Sequence, residues 1–481
     1  MHSVVNQHDF ISSSLDALVR NLNEGSTEVR NAIANSIDTS DSASIEAERL
    51  RLASHFASIR DTAVSEPSHR DVDYVSRFNL VGLYQSVLSK VFGSIPSLQG
   101  YGDRNPIWIV TPIEHGVYSL GNFFKQVRED VHGQKQPLIS SILKEWKNLR
   151  FERAPYPPGT PQPVKLPPKA TIALLADWGG DNPAAHHVAG VVRRQQPNLA
   201  IHLGDIYYGG IKAECKTFLQ LWPFQTNARY PELGVPPGTS YALNGNHEMY
   251  SGGEAYFSVV LKAFGQPQPF FCLENEHWRI IGLDTAYAGG RLKPSGPDDP
   301  INAQWNWLVG LLRNSGKKKN IFLTHHQPLS AHKDEFQDSE GLRKDVADLL
   351  ATDGIGADAI FGWFFGHEHR CALYRDTVTG FNARLIGNGC IPHEVQTEKE
   401  ADTGCTPVDY FNKRQTAPDS GAAVSMCAKL SFLEPSPQVL IEYIDEDYEV
   451  WGSEVWDAEK GRLGGIKFQE TDFDENLTVR S

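Results

Sequence analysis

The stretch TIALLADWG (171–179) decides the fold: an apolar run that ends abruptly on Asp-Trp-Gly. Short apolar runs bounded by turn residues read as buried strands. The pattern returns in LAIHLGDIYYGG (199–210), YALNGNHE (241–248), NIFLTHH (320–326) and AIFGWFFGHEH (359–369). Each run has Asp, Asn, Tyr or His just past its end. Residues beyond the carboxyl ends of strands in an α/β sheet line the functional crevice. A lone Asp after a strand is an ordinary turn or cap residue. Five such blocks, all with metal-ligating side chains, are a different matter. Helical patterns at 184–195 and 302–313 lie between strands, which makes this an α/β chain.

Away from these blocks the patterning changes. Ile11, Leu15, Leu18, Val19 and Leu22 share one helical face, as do Ile45, Leu52, Phe56 and Ile59 after a start signal at Asp41/Ser42. Leu138, Ile142, Trp146 and Leu149 repeat the spacing after Pro137. Residues 1–150 therefore read as a helical cap or interaction region, with no cluster of metal ligands on its faces. The segment PYPPGTPQPVKLPP (155–168) holds seven prolines, and 151–168 reads as a linker or a strap over the surface. Residues 169–481 form the remaining domain. Within it, polar 396–425 reads as a long loop, and 426–456 as terminal strands.

The chain has 481 residues, a net charge of −14 and a hydrophobic content of 40%, which suits a core of ordinary size. An acidic surface disfavours nonspecific binding to nucleic acid or anionic membrane. It does not exclude a phosphate substrate, because bound cations reverse the sign locally. The N-terminal residues lack the basic and apolar pattern of a signal peptide, and no run approaches a membrane span. The expectation is a cytoplasmic protein. Its six cysteines show no paired spacing and read as free thiols, with a disulfide among Cys390, Cys405 and Cys427 left open.

Two-metal hydrolysis accounts for the residue types. A carboxylate can bridge two cations about 3.5–4 Å apart, and these lower the pKa of a bound water. They also neutralise charge on phosphoryl oxygens during in-line attack. Neutral imidazoles complete the coordination without repelling an anionic substrate.

Taken in order, the five blocks resemble the calcineurin-like metallophosphoesterase family, whose pattern is D-x-H, G-D-x, G-N-H-[DE], a later His, then G-H-x-H. The resemblance covers about 170–395. It implies a four-layer α/β/β/α sandwich, here preceded by an N-terminal helical region. One departure is informative: Gly179 stands where the common pattern has histidine, while Tyr208 follows Asp205 by three residues. Asp-x-Gly with Gly-Asp-x-x-Tyr is similar to the purple acid phosphatase branch, in which a tyrosinate binds iron.

Carried over, the resemblance implies a first metal position of Asp177, Asp205, Tyr208 and His369. The second comprises Asp205, Asn246, His325 and His367, with Asp205 as the bridge. Tyr207 is the alternative if the turn is shifted, and His326 is the alternative to His325. The implied cofactors are iron with zinc, manganese or a second iron. Asp205 and His247 are the implied catalytic residues: a hydroxide bridging the metals attacks phosphorus while His247 assists the leaving group. Asn246, His247, His326 and His332 are candidate substrate contacts. Glu248 either orients His247 or caps the next segment. His186 and His187 read as helix-surface residues. The substrate expected is a small phosphomonoester, with a phosphodiester or nucleotide, or a non-catalytic scaffold, as alternatives. Protein serine/threonine phosphatases resemble GDxVDRG and RGNHE, and GDIYYGG and LNGNHE here lack both arginines.

Overall fold

The computed structural model describes residues 7–66, 75–94, 135–149 and 152–468, less 181, 228, 376–379, 392–394, 396–401, 403–404 and 417–422. Among the described residues five helices come first: α1 (Gln7–Glu24), α2 (Thr27–Ile37), α3 (Ser42–Ser65), α4 (Asn79–Ser94) and α5 (Lys135–Asn148). Their apolar faces meet in one core that includes Leu15, Leu22, Ile33, Phe56, Tyr84 and Trp146. The Asp41 carboxylate caps α3 by accepting from the Ser44 amide at 2.8 Å.

Two sheets follow. One has the order β1 (Val164–Lys165), β5 (Phe271–Glu274), β6 (Trp278–Gly282), β7 (Lys319–Thr324), β8 (Gly362–Phe365), β10 (Asn382–Ile386), β9 (Cys371–Tyr374), β11 (Val408–Phe411). The other runs β15 (Gly461–Phe468), β14 (Val450–Asp457), β13 (Gln438–Asp445), β12 (Met426–Phe432), β2 (Thr171–Leu175), β3 (Leu199–His202), β4 (Ser240–Ala242). β2, β3 and β4 run parallel, as do β6, β7 and β8.

The remaining helices are α6 (Pro183–Gln195), α7 (Lys212–Leu221), α8 (Asn246–Tyr250), α9 (Leu261–Phe264), α10 (Asn302–Arg313), α11 (Lys333–Asp338) and α12 (Glu340–Leu350). Ile172, Leu174, Ile201, Ile280, Ile321 and Phe364 fill the space between the sheets. α6 and α7 cover the outer face of β2 and β3, and α10 and α12 cover that of β7 and β8. The layers are α/β/β/α, as expected. Continuous burial of β2 and β3 explains why these strands show no alternation: both faces are covered.

Two details differ from the sequence reading. The stretch expected as a loop at 396–425 contains β11, whose Val408 and Phe411 are buried while Asp409 is exposed. Residues 396–401, 403–404 and 417–422 of that stretch lie outside the described residues. The terminal strands continue past 456 into β15. The proline-rich segment is a strap: Trp307 donates to the Pro161 carbonyl at 2.9 Å, Gln268 to that of Pro158 at 3.1 Å, and β1 joins the sheet edge. All six cysteines are free. No helix among the described residues is long and apolar enough to cross a membrane.

Candidate metal centre

The carboxyl ends of β2, β3, β7 and β8 open onto one place. Asp177, Asp205 and His367 sit just past their strands with φ of 52°, 72° and 73°. Left-handed backbone at a residue with a side chain costs on the order of 1–3 kcal/mol and persists only where the surroundings enforce it. Gly204 makes one such turn possible. Its φ is 103°, and a Cβ there would lie 2.7 Å from His325 Nδ1. A Cβ on Gly245 would collide with the Asp205 amide and carboxylate.

Two clusters share Asp205: Asp177, Asp205 and His369 form one, and Asp205, His325 and His367 the other. In the first, His369 Nε2 lies 3.7 Å from Asp177 Oδ1. The Tyr207 hydroxyl is 3.2 Å from Asp177, 3.4 Å from Asp205 and 3.1 Å from His369. In the second, His325 Nε2 is 3.2 Å from Asp205 Oδ1 and 3.2 Å from His367 Nδ1. Asn246 Oδ1 approaches both rings, at 2.9 and 2.8 Å.

This geometry fits cations. His325 Nδ1 donates to the Leu203 carbonyl at 3.0 Å, which leaves the Nε2 lone pair facing inward. The Asn246 amide nitrogen donates to the Tyr250 hydroxyl at 2.8 Å, which fixes its oxygen toward the same point. Acceptor atoms of Asp205, Asn246 and His325 thus converge on one point. Burial, then the neighbouring Asp177 charge, pushes Asp205 well above the usual carboxylate range. Burial raises Asp177 likewise. Burial, then His326, pushes His325 well down. A positive charge among these groups would restore carboxylates on one side and suit neutral imidazoles on the other.

The structure brings together Asp177, Asp205, Asn246, His325, His367 and His369. It does not bring the Tyr208 hydroxyl to them; the Tyr207 hydroxyl takes that place. Left-handed turns at Gly204 and Asp205 reverse the chain so tightly that the second residue after Asp205 reaches back over the carboxylates. The Tyr208 ring joins the apolar core outside β2 and β3, and its carbonyl lies 2.6 Å from His247 Nδ1. Of the pair at 325 and 326, His325 enters the cluster. His326 stands beside it, its ring 4.7 Å from that of His367 and its Nδ1 3.0 Å from Thr285 Oγ1. Burial pushes His326 down to about 4. His332 joins neither cluster; it precedes α11, with its ring 5.9 Å from that of Phe411.

His247 is buried, its amide 3.1 Å from Asp205 Oδ1 and its Nε2 3.8 Å from Asp205 Oδ2. Glu248 has a different task from its neighbour. Its carboxylate accepts from the amides of Gly245 at 2.8 Å, Ile206 at 2.7 Å and Asp205 at 3.2 Å. It thereby ties the GDIYY turn to the GNHE turn, and both open readings of Glu248 reduce to a cap that also positions Asp205. Tyr250 carried no signal in the motifs. Its spacing of four from Asn246 on a helix was the one available clue.

A family model described as calcineurin-like phosphoesterase matches residues 170–371. No curated protein sequence matches the chain. Among solved structures, purple acid phosphatase PPD1 from yellow lupin (Lupinus luteus) aligns with a TM-score of 0.42 at 15% identity, over 60% of this chain and 53% of that one. The match therefore spans about half of the lupin protein. GAP50 of Plasmodium, described as the anchor in the inner membrane complex, aligns with a TM-score of 0.42 at 15% identity, over 65% of this chain and 93% of that one. With its α/β/β/α layers, the sandwich is similar over residues 170–371 to the calcineurin-like phosphoesterase family.

Proposed function

We propose that the chain is a binuclear metal-dependent phosphoric ester hydrolase acting on a small phosphomonoester. The observation that carries this reading is the sharing of Asp205 by two ligand clusters. Asp177, Asp205, Tyr207 and His369 would hold one ion, and Asp205, Asn246, His325 and His367 the other. The anionic oxygens of the first suit iron; the imidazoles and amide of the second suit zinc, manganese or a second iron. Bound there, two cations supply Lewis acidity, acidify a coordinated water and offset charge on the phosphoryl oxygens.

The protein's own groups do the rest. His247 donates from Nδ1 to the Tyr208 carbonyl, so Nε2 is the atom on the Asp205 side that, once protonated, would hand its proton to the leaving oxygen. Glu248 holds the Asp205 turn through three backbone amides. His326, steadied by Thr285, flanks the imidazole cluster where it can meet a phosphoryl oxygen. The monoester preference rests on the Asp177-x-Gly179 departure toward the purple acid phosphatase pattern.

Metal analysis combined with a phosphoester panel tests the reading. Two metal equivalents are expected per chain, with p-nitrophenyl phosphate turned over faster than bis-p-nitrophenyl phosphate. The reverse preference would make the enzyme a diesterase. Full metal loading without turnover of any phosphoester would leave a scaffold.

A further inference from the structure

The helical region reaches the mouth of the metal centre through residues 75–78. Three buried side-chain contacts fix this segment. Glu66 accepts from the Arg77 amide at 2.7 Å and from the Ser76 hydroxyl at 2.9 Å, and Gln85 accepts from the Ser76 amide at 3.1 Å. Glu66, Ser76 and Gln85 are all buried. The segment is also linked to a candidate ligand through Tyr250. Asn246 donates to Tyr250, and the Tyr250 hydroxyl donates in turn to the Ser76 carbonyl at 3.3 Å. Gly82 of α4 packs against the Tyr250 ring, so close that a Cβ there would meet it.

From this fixed backbone the Arg77 side chain extends to Glu335 of α11 and forms an ion pair. Glu335 is buried, and its carboxylate also accepts from Gln327 at 3.1 Å. Arg77 is not buried in the same way: 34% of its side chain is exposed. Its charge is felt at His247, His367, Tyr250 and Glu368, groups on both sides of the centre's mouth. A guanidinium has five donors in a planar fork, so one edge can stay on Glu335 while the other meets an anion. The GDIYYGG and LNGNHE segments themselves contain no arginine.

We infer that Arg77, lent by the helical region, is the substrate-positioning clamp that binds the non-bridging oxygens of a phosphomonoester. The inference rests on the hydrolase reading above and narrows it. A monoester offers three non-bridging oxygens and up to two negative charges, whereas a diester offers two oxygens and one charge. A guanidinium on the segment that meets Tyr250, with its charge reaching His247 and His367, therefore favours the monoester. It also gives the helical region a part in substrate choice rather than a separate binding role.

The test uses the full-length metal-loaded protein, with inorganic phosphate as inhibitor and both p-nitrophenyl esters as substrates. A hydrogen bond from a charged donor implies that Arg77→Ala raises the phosphate inhibition constant and the monoester KM roughly ten- to hundredfold. The diester KM should move far less, and metal content should not change. Arg77→Lys keeps the charge but loses the fork, and should fall between wild type and Arg77→Ala. An unchanged phosphate inhibition constant in Arg77→Ala, whatever its melting temperature, would reduce Arg77 to a latch between regions and overturn the inference. Should Arg77→Ala fail to fold, an unchanged constant in Arg77→Lys overturns it equally. Wild-type protein that is fully metallated yet binds no phosphate and cleaves neither ester overturns the hydrolase reading together with this one. Wild-type phosphate binding with unchanged variants overturns the clamp alone.

Discussion

The two halves of the centre are built from different chemistry although they share a carboxylate. One half presents Asp177, Asp205 and the Tyr207 hydroxyl from the ends of β2 and β3, with only His369, from beyond β8, as a neutral donor. The other half presents His325 and His367 from the ends of β7 and β8, with the Asn246 amide from beyond β4. Burial raises the acids of the first half and lowers the imidazoles of the second. The difference teaches that charge, not sheet, separates the two halves: one gathers the acids and the other the neutral donors, and each draws on both sheets, His369 following β8 and Asn246 following β4. Asp205 joins them, and Glu248 holds Asp205 in place.

Removing the junction should have the largest effect. Asp205→Asn is expected to lower kcat/KM for a phosphomonoester by at least about a thousandfold and to lose metal from both halves, since a bridge stabilises both ions. Retention of two equivalents by this variant, read by elemental analysis, would break the comparison at its centre. Next comes the phenol. Tyr207→Phe should weaken the carboxylate-side ion by about 10- to 100-fold and abolish any tyrosinate-to-iron absorption band, leaving the other ion in place. Tyr208→Phe should leave the band as it was; the opposite result would restore the spacing that the family pattern implies. Glu248→Gln should keep both ions but lower kcat by roughly tenfold, because one carboxylate that accepts from three amides becomes a weaker acceptor.

A last effect, on stability and with the smallest consequence for turnover, concerns the carboxylate that the imidazole side does not aim at the cluster. Asp284 follows β6, accepts from the amides of Ala286 and Tyr287 at 2.9 and 3.0 Å, and is pushed up to about 7 by burial. A folded-state pKa above the unfolded value adds stability that is fully present below pH 3.8 and is lost as pH rises through about 7. Asp284→Asn should flatten that dependence and stabilise the metal-free protein at pH 8 by up to roughly 4 kcal/mol. Denaturant melts at pH 5 and pH 8 measure it, and an unchanged difference between the two would count against a buried charge at this position.

The strand-then-ligand rhythm made the sandwich legible, because buried parallel strands must end in turns and those turns carried Asp177, Asp205, His325 and His367. The local rule failed at the tyrosine. Counting three residues from Asp205 assumes an ordinary turn, and φ values of 103° at Gly204 and 72° at Asp205 shorten the reach by one residue. The helical faces of α1 and α3 were equally legible from their spacing. What those helices do was not, because the contact of Ser76 with Tyr250 spans 174 positions and no periodicity records it. Glu248 remained ambiguous for the same reason: two of its three amide partners lie more than forty residues earlier.

The proline-rich strap has a consequence for how copies of the protein behave in a crowded solution. β1 is two residues long, lies at the rim of the larger sheet and is bracketed by Pro163 and Pro167. Prolines lack the amide that a newcomer strand would need, so the rim offers almost nothing to add to. Cutting the chain before residue 151 would leave this guard in place, whereas cutting after 168 would bare β5 to intermolecular strand pairing. The same seven prolines that carry the chain from helices to sandwich thus also keep one molecule's sheet from growing into the next.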